Sequence, residues 1–529
     1  MTEAPATVPP TVTHSDPAAA ASPTAAQVLW ATAARTPYRD CVTDLDSPDR
    51  PGPVSYAALV DRAAAIAGGF RQAGLEPGDR VALLLHNGHA YVEAYLGANA
   101  AGLVVVPLNT RLVREDYLHM LSDSGSRVLV TSAEFLARVP ELAQVEGLTV
   151  LDADAGALEE LTGRGTPLDE PVASDPEAPA SLMYTSGTTG APKAVTLTHR
   201  SWAAVSDRAE EVLGFGDDEV VLHVAPLTHG AGFLLLPTLN RGGHNLLSRS
   251  YDAARTVALI DERGVSGMFL VPSMIRMLLD ALPEGWTAPA GLRRIYYAGS
   301  PIDPVTLREG AERFDGRLIQ SFAQMESPMF FTVLDADDHR RALADPDSPL
   351  VRSAGKVLPG VELRVTDDEG AVLPLGKPGE IVARAPQTMA GYWNRPEATA
   401  ATLVEGWLHT GDIGYLTEDD YLYIVDRKKD MIVTGGSNVY AREVEEVLEQ
   451  LPGIAQAAVV GLPDRIWGEA VTAVVVPAVG VERDDAAVIA GCKAVLAGYR
   501  VPKRVVWVEE LPRNAYGKVL KRALREQFG

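Results

Sequence analysis

The run Tyr184-Thr185-Ser186-Gly187-Thr188-Thr189-Gly190-Ala191-Pro192-Lys193 concentrates groups that bind phosphate. Gly187 and Gly190 permit backbone conformations that turn several N–H groups toward one point. The hydroxyls of Thr185, Ser186, Thr188 and Thr189 add donors, and Lys193 adds a positive charge. By composition alone such a stretch is a flexible surface loop. Preceded by the apolar run 181–184 and closed by Pro-Lys, it reads as a cradle for a polyphosphate. It is not the P-loop, because Gly-x-x-x-x-Gly-Lys-Ser/Thr does not fit its spacing. A second candidate is Lys518, near the end of Pro512-Arg513-Asn514-Ala515-Tyr516-Gly517-Lys518. Lysines so placed are usually solvated, but these turn residues can project the side chain instead.

A loop that binds phosphate needs rigid elements on either side, and the pattern from residue 55 supplies them. Ser55 can cap a helix that carries Tyr56, Leu59, Val60, Ala63, Ile66, Ala67 and Phe70 on one face. A turn at Pro77-Gly78 leads into an apolar run at 81–85. Helices are then expected over 90–101 and 114–124, each followed by an apolar strand, at 103–107 and 127–131. Strands alternating with helices imply crossover connections and a largely parallel sheet covered on both faces, an α/β fold. The rhythm continues through 219–224, 267–271 and 294–297. Near residue 360 the texture changes to short strands and turns, which suggests a small β-rich subdomain. The charged stretch Asp426-Arg427-Lys428-Lys429-Asp430 precedes a fresh α+β pattern. It includes a helix over 442–451, with Val444, Val447, Leu448 and Leu451 on one face, and strands near 457–460 and 471–476. The expected division is a disordered tail over 1–25, a large domain over 26–426 and a smaller one over 427–529.

Composition narrows the class. A chain of 529 residues is too long for one compact core, so two or more domains are expected. Its net charge of −23 argues against long contacts with nucleic acid or anionic membrane. Charge aimed at phosphates must therefore come from a few placed Lys and Arg residues. Two cysteines, Cys41 and Cys492, exclude a disulfide framework, and a reducing cytoplasm is the expected setting. No Cys/His spacing suggests structural zinc, and no apolar run approaches the ~18 residues of a membrane span. The Pro-, Ala- and Thr-rich start lacks the charged and apolar regions of a signal peptide.

The sequence resembles the adenylate-forming superfamily of acyl-CoA synthetases, peptide-synthetase adenylation domains and beetle luciferases. The motifs that carry the likeness run in order: YTSGTTGAPKAV at 184–195, PLTHGAGF at 226–233, AGSPI at 298–302 and SFAQMES at 321–327. GYWNRPEAT at 391–399, GWLHTGDIG at 406–414, DRKKDMIVTGGSNVY at 426–440 and PRNAYGK at 512–518 complete the set. The likeness spans about 28–525, nearly the whole chain. It implies a large α/β domain with a mobile C-terminal α+β domain, and an enzyme that forms an acyl adenylate from ATP and an acid. ATP and Mg²⁺ are the implied cofactors, with coenzyme A as co-substrate.

The resemblance also implies roles residue by residue. Glu326 would hold Mg²⁺ on the triphosphate, as a hard cation requires an oxygen ligand. Asp412 would accept both ribose hydroxyls, and Arg427 would bind ribose or phosphates from the hinge. Gly299-Ser300-Pro301, with Ser321, Phe322, Ala323, Gln324 and Met325, would surround the adenine and α-phosphate. Lys518 would bridge the acid oxygen and the α-phosphate, where a placed ammonium stabilises a negative five-coordinate phosphorus. His229 would gate the route between acid and thiol. Gly435 and Gly436 would line the pantetheine tunnel, and Lys429 would be the pivot of the small domain.

Two departures stand out. The family's Tyr-Gly-x-Thr-Glu is replaced by Phe322-Ala323-Gln324-Met325-Glu326, which removes a threonine hydroxyl from beside the α-phosphate. With Met329 and Phe330 nearby, the change suggests a shallow acid pocket or an unusual substrate. Ala441 stands where a proline usually follows the tyrosine, a lesser change. The acceptor stays open: coenzyme A, a carrier protein, or an amine in a diazotase-like reaction of a non-carboxylic acid such as nitrite. A catalytically silent nucleotide-binding relative is disfavoured by Lys193, Glu326, Asp412, Arg427 and Lys518.

Overall fold

The computed structural model describes residues 23–185, 192–513 and 519–529. Among them the strands form three sheets. The first runs, edge to edge, Gly391–Tyr392, Lys193–Thr198, Pro179–Thr185, Val104–Pro107, Arg80–Leu84, Val128–Thr131 and Thr149–Asp152. The last five of these are parallel, with helices His89–Ala100 and Arg114–Ser124 as crossovers. These strands read as continuous apolar runs because both faces are covered: every position of Val104–Pro107 and Val128–Thr131 is buried. The helix expected after Ser55 spans Tyr56–Gln72, and the Ser55 hydroxyl accepts a hydrogen bond from the Ala58 N–H at 3.3 Å. It buries Tyr56, Leu59, Ala63, Ile66, Ala67 and Phe70, with Val60 half-buried. A Cβ at Gly97 would lie 2.4 Å from Ile66, so glycine is what lets the two helices approach.

The second sheet has fourteen strands and changes character at one hairpin. On one side Leu318–Gln324, Arg294–Tyr297, Gly267–Leu270, Val220–His223, His244–Leu247 and Asp40–Asp44 are parallel neighbours. On the other, Ser327–Leu334, Gly355–Val357, Tyr421–Arg427, Trp407–Leu416, Gly379–Arg384 and Glu362–Thr366 follow antiparallel. The short strands expected near residue 360 are present and extend this long sheet. One hydrophobic cluster joins the two sheets, drawing Val81, Val105 and Val130 from the first and Val221, Leu247 and Tyr296 from the second.

The third sheet contains Ser437–Val439, Ile432–Thr434, Gly468–Pro477, Ile454–Asp464 and Arg504–Trp507. It has its own cluster, with Ile432, Val459, Val471 and Cys492 packed against Val444 and Leu448 of helix Ala441–Glu449. At the other end, Thr24 caps helix Ala25–Arg35 through a capping box with Gln27. Regular structure thus begins inside the segment that the sequence assigns to the tail, of which 1–22 lie outside the described residues. Among the described residues no helix is long and apolar enough to cross a membrane.

Candidate active site

The hairpin where the long sheet changes character carries the altered motif. Gln324 pairs with Ser327, leaving Met325 and Glu326 as the two turn residues between them. Gln324 therefore points to one side of the turn and Glu326 to another, each with its own partners.

On the Gln324 side lies Asp412. It sits in strand Trp407–Leu416 directly opposite Arg427 of strand Tyr421–Arg427. The Arg427 Nε lies 2.5 Å from Asp412 Oδ1, with the carboxylate side chain 3% exposed and the guanidinium side chain 38% exposed. The Gln324 amide donates to Asp412 Oδ2 at 2.7 Å and to the Thr410 carbonyl at 2.7 Å. Both neighbours are acceptors, so the NH₂ end of the amide must face them. The Asp412 N–H donates to the Thr410 hydroxyl at 3.1 Å, and that hydroxyl donates to the Ile381 carbonyl at 2.7 Å. The result is an oriented, buried carboxylate whose charge is met by Arg427.

Gln324→Glu would set a second carboxylate against Asp412. We expect about a tenfold or greater loss of AMP affinity by calorimetry, against a smaller loss for Gln324→Leu, which removes one donor without adding charge. Equal losses for the two variants would show that the charge balance at Asp412 does not matter.

On the other side of the turn, Glu326 Oε1 accepts a hydrogen bond from the Tyr392 hydroxyl at 2.6 Å. Its carbonyl accepts from the Met389 N–H at 2.8 Å. Burial first, and then the Glu326 carboxylate, raise the Tyr392 pKa, so the phenol stays protonated and donates. The Lys193 Nζ sits 4.6 Å from the centroid of the same ring. Thr185 and Lys193 face each other as the end pair of a hairpin between strands Pro179–Thr185 and Lys193–Thr198. Ser186, Gly187, Thr188, Thr189 and Gly190, the centre of the expected phosphate cradle, lie outside the described residues, as does Lys518.

The fit of a metal can be judged from donors. Among the described residues no group of three or more His, Cys, Asp or Glu is placed to hold an ion. A cation here would touch one carboxylate and take its other ligands from phosphates and water, which is how Mg²⁺ accompanies nucleotides. A carboxylate offers about four lone-pair positions, so the bond from Tyr392 leaves Glu326 capacity for a cation.

Gly299, Ser300 and Pro301 form an exposed loop after strand Arg294–Tyr297, which neighbours Leu318–Gln324; Gly299 has φ of +93°. Phe322 is half-buried, its ring 5.9 Å from that of Phe331. Ser321 turns its hydroxyl inward: it lies 2.6 Å from the Tyr296 hydroxyl and donates to the Met329 carbonyl at 2.5 Å. Met329 holds φ of +77°, a costly conformation for a non-glycine residue. Phe330 is fully buried, its ring 5.6 Å from Tyr296. Ala323 and Met325 are half-buried against the same cluster. His229 lines a cavity of about 10 Å³ with Tyr91, Met183 and Trp202, room for one water. Burial pushes its pKa down to about 4, so the ring is neutral near pH 7.

Lys429 lies in the short turn Lys428–Asp430, just after Arg427. Asp426 ties this turn to the third sheet's helix, accepting from the Arg427 N–H at 2.7 Å and the Arg442 N–H at 3.2 Å. Gly435 and Gly436 form the turn between Ile432–Thr434 and Ser437–Val439, with φ of +56° and +77°. A Cβ at Gly435 would meet the Trp467 ring at 2.9 Å. Sequence reasoning missed Tyr392 and Thr410, although both fall inside quoted motifs; no spacing rule says which partner a side chain will find.

With this geometry in view, the comparisons are consistent with one another. The AMP-binding enzyme family matches residues 29–393, and the AMP-binding enzyme C-terminal domain matches 443–518. A feruloyl-CoA synthase from Amycolatopsis sp is 39% identical over 484 residues, 90% of this chain and 94% of that one. The fatty acid–[acyl-carrier-protein] ligase ScoC of Streptomyces coeruleorubidus is 37% identical over 485 residues, 90% of this chain and 92% of that one. The crystal structure of ATP-bound MatB from Rhodopseudomonas palustris superposes with a TM-score of 0.85 at 29% identity, covering 95% of this chain and 99% of that one. The chain belongs to the AMP-binding, adenylate-forming enzymes. Within them it is a ligase of the acid–CoA ligase class.

Proposed function

We propose that the protein joins a small acid to the α-phosphate of ATP, releases pyrophosphate, and passes the activated acid to the thiol of coenzyme A. The observation that carries this reading is the turn Met325-Glu326. It sets a carboxylate bonded to Tyr392 on one side and an amide bonded to Asp412 on the other. A ribose at Asp412 and a metal-bound triphosphate at Glu326 would then span a single turn, with the α-phosphate beside Met325. Mg²⁺, when bound, supplies charge to neutralise the triphosphate. Arg427 and Gln324 orient Asp412, the stretch 185–193 cradles phosphates, and Lys518 meets the reacting centre. The unit from 427 onward turns about Lys429 between the two half-reactions. His229, neutral at working pH, stands at the acid–thiol boundary, and Gly435 and Gly436 line the thiol route.

The acid is small because the wall beside Met325 is filled. Tyr296, Met329 and Phe330 pack together in the cluster against which Met325 rests, and a packed interior has little room to spare. The test is a pyrophosphate-release panel of acetate, nitrite, ferulate and a long-chain fatty acid, with and without coenzyme A. Short acids should turn over best, and Ala323→Gly with Met325→Thr should shift preference toward ferulate. A wild type that prefers ferulate or the fatty acid overturns the restriction. Turnover of nitrite with refusal of every carboxylate overturns the acid–CoA reading itself. Carrier-protein and amine acceptors, added to the same assay, separate those outcomes from coenzyme A.

A further inference from the structure

Tyr392 links two groups that the reaction needs apart. Its hydroxyl holds Glu326 Oε1 at 2.6 Å, and its ring face receives the Lys193 ammonium at 4.6 Å. Among the ion pairs of the described residues, none joins Lys193 to Glu326. Opposite charges that share a neighbour attract each other, and a paired lysine and carboxylate would each be withdrawn from substrate. The aromatic ring offers the ammonium a negative face instead, while the phenol edge offers the carboxylate a proton.

The backbone fixes this placement. Tyr392 lies in strand Gly391–Tyr392, paired with Val195 two residues beyond Lys193. The flanking Ala390 and Trp393 N–H groups donate to the Thr196 and Ala194 carbonyls at 3.0 and 2.9 Å. The Tyr392 N–H itself donates to the Thr399 hydroxyl at 2.9 Å. A side chain on an element pinned at three of four neighbouring residues aims more reproducibly than one on a free loop.

We infer that Tyr392 is a positioning residue for the adenylation step: it keeps Lys193 and Glu326 from neutralising each other and aims both at one metal-bound triphosphate. The inference rests on Glu326 and Lys193 serving the triphosphate as proposed above. It assigns a separate job to each half of the tyrosine. Tyr392→Phe keeps the ring over Lys193 and removes only the bond to Glu326. Tyr392→Leu removes both and lets the lysine and carboxylate meet.

The test is calorimetry of ATP binding with excess Mg²⁺ and with EDTA, alongside Mg²⁺ activation curves for pyrophosphate release and thermal midpoints. A hydrogen bond to a charged group is worth about 10- to 100-fold in an equilibrium. Tyr392→Phe should therefore weaken Mg²⁺-dependent ATP binding by about tenfold, raise the Mg²⁺ concentration for half-activation, and leave metal-free ATP binding unchanged. Tyr392→Leu should weaken metal-free binding as well, because Lys193 is then drawn to Glu326. Restoring metal-free affinity in Tyr392→Leu by adding Glu326→Gln would support the separation of charges. Unchanged Mg²⁺ dependence in Tyr392→Phe, with Glu326→Gln clearly impaired, overturns the role of Tyr392 and leaves that of Glu326 standing. Unchanged Mg²⁺ dependence in Glu326→Gln itself removes the carboxylate from the site, and the inference with it.

Discussion

Asp412→Ala is expected to raise the ATP concentration for half-maximal pyrophosphate release by two orders of magnitude or more. The carboxylate is almost wholly buried, held by Arg427 on one oxygen and by Gln324 on the other. Two ribose hydroxyls donating to a charged acceptor contribute about 1.5–3 kcal/mol each, or roughly 10²–10⁴ in affinity together. The fold should survive, because the stranded guanidinium is 38% exposed and can reach water. Removing an acidic partner from a fully buried pair would be far more damaging. The decisive comparison is ATP against 2′,3′-dideoxy-ATP. Wild type should discriminate strongly, and Asp412→Ala should bind both with the same low affinity. A variant that still prefers ATP would place the ribose contact on another residue.

That prediction needed the register of two strands, and the sequence shows why some of the site was legible and some was not. The parallel strands were readable because each is an apolar run between helices with a clear face. The helix expected near 114–124 spans Arg114–Ser124, and Ser55 caps the start of another. Strand lengths were harder: Ile454–Asp464 extends well beyond 457–460, because pairing with Gly468–Pro477 continues past the apolar centre. Proximity across the sheet was hardest. Asp412 meets Arg427 only because the hairpin between them sets one opposite the other. Tyr392 reaches Glu326 across 66 residues, and no local pattern encodes that.

Met329 makes the same point about backbone. Ser327–Leu334 is a strand that the sequence pattern did not single out, and Met329 takes a left-handed φ within it. Neighbours impose that conformation: the Ser321 hydroxyl holds its carbonyl, and Tyr296 packs against its sulfur. Strain kept by surrounding contacts at the wall of the proposed acid pocket fits a role in shaping it.

Lys518→Ala should reduce adenylation by about 10²–10³ while leaving ATP affinity and the thermal midpoint close to wild type. The residue lies at the end of the C-terminal family match and outside the described residues, so its role is carried by the motif 512–518. If the cradle and a metal meet the charge of the ground-state α-phosphate, as proposed, an added ammonium gains little there. As the acid oxygen attacks, charge gathers on the five-coordinate phosphorus, and a positive group at that point lowers the barrier rather than the binding energy. The loss should therefore fall on kcat for pyrophosphate release, with KM for ATP little changed. The second half-reaction gives the control: on the proposed rotation of the unit from 427 onward, transfer from chemically prepared acyl adenylate to coenzyme A should run normally in the variant. Lys518→Arg, which keeps the charge but not the point geometry, should recover only part of the rate. Near-normal pyrophosphate release by Lys518→Ala would assign the transition-state charge to another group, and equal loss in both half-reactions would mean that the lysine never leaves the site.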